Sequence, residues 1–164
     1  MAATDKYKYT EIIGIGVLAI LLQIFFIPLI EIGIWRPDLI ILVLIYCSFR
    51  YGVIPGTLTG FILGIIQDSL SASPIGISSL ANSIIGFIAG QTRQIKISTN
   101  GRFLITILLI LLQGIIFYIF YQFKTEVGYL TLLLTRVFPN TIYTFAIGVV
   151  FAFILRSKLK IINE

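Results

Sequence analysis

Histidine is absent from this 164-residue chain, cysteine and tryptophan occur once each, and charged residues make up only 12% of it. Without histidine the chain has neither the commonest metal ligand nor the usual base that titrates near neutrality. A single cysteine, Cys47, set in an apolar run, excludes both a disulfide framework and a cysteine-rich metal site. The scarcity of charge excludes an ordinary soluble domain, in which charged residues reach about 25% and apolar ones about 45–50%. Twelve basic and seven acidic residues cannot cover such a surface, and a 58% hydrophobic content is that of a membrane protein. In a soluble chain the net charge of +5 would point to nucleic acid; here it reads as membrane topology, and no nucleic-acid partner is expected.

What is present is a series of apolar stretches separated by short polar breaks, with no linker or low-complexity tract. Crossing a bilayer core takes about 20 apolar residues. The pattern predicts an all-α integral membrane protein. It is read as a single domain, 1–164, of six transmembrane helices over about 12–34, 37–51, 53–70, 75–92, 102–123 and 129–156. The second is the short one: from Pro37 to Tyr51 a helix extends only about 22 Å. Pro37, Pro55 and Pro74 are expected in first turns, where a missing N–H costs nothing.

Basic residues test the count. With both termini cytoplasmic, Lys6, Lys8, Arg50, Arg93, Lys96, Arg102, Arg156, Lys158 and Lys160 fall inside and only Arg36 and Lys124 outside, the bias of a cytoplasmic-membrane protein. The first apolar run is too long for a secretory signal and no A-x-A-like site follows it, so it is expected to remain as a helix. Trp35 and Tyr7, Tyr9, Tyr51, Tyr121 and Tyr129 sit near span ends, as an interfacial aromatic belt does.

In YGVIPGTLTGFILGIIQD, Gly52, Gly56, Gly60 and Gly64 recur at intervals of four and Asp68 continues them. Each step drifts only about 40° around a helix, so Gly60, Gly64 and Asp68 share a face. Glycine ridges let a neighbouring backbone approach closely in lipid. Gly86 and Gly90 repeat the spacing on the fourth helix. The ridge serves either a helix of the same chain or one from another protein, a second copy included.

Glu31, Arg36, Asp38, Asp68 and Arg136 fall in one leaflet by this topology. An arginine at mid-bilayer costs about 2.5–3.5 kcal/mol, so Arg136 should seek a partner. Two readings are open: a buried Arg136–Asp68 pair, with Asp38 the second choice, or Asp68 solvated at a helix end with Arg136 reaching outward. Pro139 frees the carbonyl of Thr135 beside Arg136 and predicts a kink.

No catalytic set accompanies these charges. Ser69, Ser71, Ser73, Ser78 and Ser79 surround Asp68, but no histidine or nearby lysine activates them. Two aspartates without histidine or cysteine make a poor metal site, and no phosphate-binding loop is present. No enzymatic activity and no cofactor are expected.

RPDLIILVLIYCSFRYG, GFILGIIQDSLSASPIGISSL and then Arg136 followed by Pro139 and Asn140 resemble, in order and over nearly the whole chain, the MreD family of the bacterial rod-shape machinery. The residues carrying the resemblance are Pro37 and Asp38 opening a helix, Gln67 and Asp68 closing the next, and Gly76 just beyond. It implies a bundle similar to the substrate-binding membrane subunits of energy-coupling-factor transporters. It also implies a non-enzymatic role beside the single-pass protein MreC, and through it a peptidoglycan glycosyltransferase–transpeptidase pair, with the actin-like MreB. The alternative from another class is a solute-binding transporter subunit in which Arg36, Asp38, Asp68 and Arg136 contact a small polar ligand.

Overall fold

The computed structural model describes residues 2–71, 74–95, 98–125 and 127–162, with side chains over 9–71, 74–95, 98, 100–125 and 127–151. Ser73 and Lys96 lie outside the described residues, as do the side chains of Lys6, Tyr7, Lys8, Arg156, Lys158 and Lys160. The described backbone is helical, with one isolated bridge between Ile32 and Trp35. Its helices are α1 (Ala2–Phe25), α2 (Ile27–Ile30), α3 (Leu39–Tyr51), α4 (Val53–Leu70), α5 (Ile77–Gln91), α6 (Thr99–Tyr121), α7 (Tyr129–Leu132) and α8 (Phe138–Ile162). A π-helical turn over Leu133–Val137 joins the last two.

Three helical stretches are long and apolar enough to cross a membrane, Val53–Leu70, Asn100–Lys124 and Tyr129–Phe151; Tyr9–Phe25 and Leu39–Tyr51 are apolar but shorter. The first expected helix, 12–34, is corrected: α1 starts earlier and stops at Phe25. Pro28, in the first turn of α2, cannot donate to the carbonyl four residues back, so the helix cannot continue through it. The second begins at Leu39, not Pro37, because Asp38 is its N-cap and accepts the N–H groups of Ile40 at 2.9 Å and Ile41 at 3.2 Å. At 13 residues, α3 spans about 20 Å.

Gly52 alone separates α3 from α4, at φ 93°, a conformation that side chains resist. α5 opens at Ile77, three residues after Pro74, behind a left-handed Gly76 at φ 109°. α4 and α5 form the closest pair. A Cβ on Gly60 would strike the backbone of Asn82, one on Gly64 the backbone of Ser79, and one on Gly56 the carbonyl of Gly86 at 2.7 Å. Gly86 and Gly90 return the contact against Gly56 and Val53. The ridge therefore seats a helix of the same chain.

Ile41, Leu44 and Ile45 of α3, Ile85 and Ala89 of α5, and Leu109 and Ile110 of α6 form the buried core. At one end of the bundle Arg50 meets Glu11 at 3.1 Å and Arg93 donates to the carbonyl of Tyr51 at 3.0 Å. At the other end lie Trp35, Arg36 and Asp38, held against Thr135, Asn140 and Thr144. Arg50 and Arg93 thus share one end and Arg36 occupies the opposite one.

Candidate functional site

The site is built where the segment before α3 crosses α8. Backbone N–H groups of this irregular stretch need acceptors, and side chains supply three of them. Arg36 N–H donates to Asn140 Oδ1 at 3.1 Å, Asp38 N–H to Thr144 Oγ1 at 3.0 Å, and Leu39 N–H to Gln23 Oε1 at 2.8 Å. Gln23 also donates to the carbonyl of the buried Pro37 at 3.3 Å. The carbonyl of Thr135, freed by Pro139, accepts the Trp35 indole N–H at 3.0 Å. The widened π turn and this bond together accommodate the proline that the sequence placed inside the last span.

Asp38 then reaches into the bundle. Its Oδ2 accepts Gln67 Nε2 of α4 at 2.7 Å; Gln67 Oε1 accepts Asn82 Nδ2 of α5 at 3.0 Å; Asn82 Oδ1 accepts Gln113 Nε2 of α6 at 3.4 Å. The relay ties four helix segments together through polar groups that, in a bilayer, have no water to turn to. Beside it lies a cavity of about 140 Å³, with Arg36, Asp38, Gln67, Ser78, Gln113 and Asn140 in its wall.

Asp68 does not face that cavity. Its carboxylate is 1% exposed and accepts the N–H groups of Gly76 at 2.7 Å, Ser78 at 3.0 Å and Ser79 at 3.4 Å. It closes the start of α5, where unpaired N–H groups and the helix dipole favour a carboxylate. This corrects both sequence expectations: Asp68 is neither solvated nor ion-paired with Arg136. Among the described residues the ion pairs are Arg36–Glu31 at 2.6 Å and Arg50–Glu11. Arg136, half-buried in the π turn, lies close enough to Tyr118 to influence it.

The structure brings Arg36, Pro37, Asp38, Gln67 and Asn140 to one site. It sets Gly56, Gly60, Gly64, Asp68 and Gly76 in the α4–α5 contact, and leaves Arg136 in the π turn and Pro139 in the first turn of α8. Sequence reasoning missed Gln23, Asn82, Gln113 and Thr144. The signal was available: each is a polar residue inside an apolar span, which in lipid implies an internal partner. No group of three His, Cys, Asp or Glu residues among the described residues could hold a metal ion.

A family model described as rod shape-determining protein MreD matches residues 6–162. No curated protein matches, and no solved structure does. The chain belongs to the MreD family, a family of membrane proteins of rod-shape determination.

Proposed function

We propose that this member of the MreD family is a non-enzymatic, multi-pass scaffold of the bacterial cytoplasmic membrane. It crosses six times with both termini in the cytoplasm, in a bundle similar to the substrate-binding subunits of energy-coupling-factor transporters. α1 with α2, α3, α4, α5, α6 and α7 with α8 supply the six crossings, and the shared end of Arg50 and Arg93 faces the cytoplasm, as the positive-inside rule requires. The short α3 is accommodated by the extended Trp35–Asp38 segment and by local thinning of the bilayer. Its partner is an MreC-like single-pass protein, and through it the chain influences lateral peptidoglycan synthesis alongside actin-like MreB.

The observation that carries this reading is where the polar and apolar surfaces go. The carboxylate of Asp38 and the amides of Gln67 and Asn82 turn inward and are joined to one another, whereas only 11% of an apolar 18-residue window within Asn100–Lys124 is buried, against 39% of Val53–Leu70. The outward face of α6, with Leu104, Leu108 and Ile119, is therefore open to lipid and to a partner's helix. A homodimer would also use such a face, since the glycine ridge is filled. The solute-binding alternative is weakened by size: small-molecule pockets usually enclose about 300–1,000 Å³, and this cavity has about 140 Å³. Co-purification tests the choice. A retained single-pass partner without a bound vitamin-sized metabolite is expected; a vitamin-like ligand that co-purifies stoichiometrically and raises thermal stability would overturn the scaffold.

A further inference from the structure

A carboxylate only accepts hydrogen bonds, and that fact sets the direction of the whole relay. Gln67 must turn its NH₂ toward Asp38, leaving its oxygen for Asn82. Asn82 must then donate to Gln67 and accept from Gln113, which leaves Gln113 Oε1 at the far end. Among the described residues Gln113 Oε1 has no partner, and neither does the hydroxyl of Ser78, a residue only 2% exposed. Both residues line the cavity. Asp38, the acid in that wall, has no ion-pair partner among the described residues, being balanced by two N–H groups of α3 and one amide. The other charge in the wall, Arg36, is committed to Glu31, with its side chain 68% exposed.

We propose that this cavity is a binding site for a primary ammonium group. Such a group has three N–H donors and one positive charge, matching the carboxylate of Asp38, the oxygen of Gln113 and the hydroxyl of Ser78. A volume of about 140 Å³ equals four or five waters at about 30 Å³ each, enough for a short alkylammonium with residual water. A free small amine and an ethanolamine lipid headgroup both carry this chemistry. The site is independent of the partner-binding role.

Asp38→Asn tests the assignment without removing the fold. Asparagine is as good an N-cap as aspartate, so its oxygen keeps Ile40 and Ile41 while its NH₂ donates to Gln67. The relay then reverses, and Gln113 turns an NH₂ toward the cavity. The full chain, in nanodiscs of glycerol-headgroup lipid, is titrated with ethylammonium or tetramethylammonium chloride while the thermal unfolding midpoint is followed. Ethylammonium is expected to raise the midpoint saturably and tetramethylammonium, which has no N–H, to leave it unchanged. Asp38→Asn should weaken the ethylammonium response about tenfold or more, the loss of a charge-assisted hydrogen bond. Gln113→Leu should weaken it too, which keeps the test intact if Asp38→Asn unfolds. In ethanolamine-lipid nanodiscs, loss of the response would assign the headgroup as the natural source, and persistence a free amine. Equal responses to the two cations, or an unaltered response in both variants, would overturn the site.

Discussion

Asp38 and Asp68 both cap the start of a helix, Asp38 its own α3 and Asp68 the following α5 from the end of α4, yet their surroundings give them different work. Asp68 spends its oxygens on three backbone N–H groups around Gly76 and α5. Asp38 caps α3 with one oxygen and drives a side-chain relay with the other. Asp68→Ala should strand buried N–H groups and cost about 2 kcal/mol in unfolding experiments. The exchange Asp68→Arg with Arg136→Asp should rescue neither single variant, since no ion pair joins these residues; recovery of folded protein in the double variant would contradict the capping role. Asn82→Leu should be as damaging as Asp68→Ala, because it leaves Gln67 and Gln113 facing an apolar neighbour. Asp68 was conspicuous in the sequence, but its ligands were not. A cap made of main-chain N–H groups eight to eleven residues downstream leaves no side-chain signature, so the sequence offers only a pair with Arg136, a mid-span charge that needs a partner, or a solvated helix end.

At the scale of elements, the four-residue glycine spacing was legible because it is a helix-surface property, and its outcome as an α4–α5 contact follows from the short connection between them. Two glycines separate the physical causes. Gly60→Ala would push a methyl into the backbone of Asn82, which side-chain adjustment cannot relieve, and should destabilise by about 1–3 kcal/mol. Gly76→Ala meets nothing within 4 Å, so its cost is that of holding alanine at φ 109°, also about 1–3 kcal/mol. Restoring close packing by shortening Asn82 or Ser83 should help neither, and thermal unfolding of the two variants checks this. Helix ends were the least legible feature. Pro28 broke the first span because it lacks an N–H, and Asp38 delayed α3 because it caps the N–H groups of Ile40 and Ile41; in each case this outweighed a predominantly apolar run.

For the molecule as a whole, composition and periodicity revealed an all-helical membrane protein, and a few short motifs carried the family. The polar interior was harder to see, since Gln23, Asn82 and Gln113 acquire meaning only when separate helices bring them together. A protein whose interior is locked in this way has its outer faces left for partners. Depleting it from a rod-shaped host should round the cells, and variants of the α6 face should fail to restore rods while remaining folded in the membrane. The decisive measurement is site-specific crosslinking in living cells, from single cysteines at Leu104, Leu108 and Ile119 on α6 and at the exposed Phe61 on α4, in a Cys47→Ser background. Crosslinks to a single-pass partner from the α6 positions and none from Phe61 are expected; crosslinks from Phe61 with silence along α6 would contradict the scaffold as described.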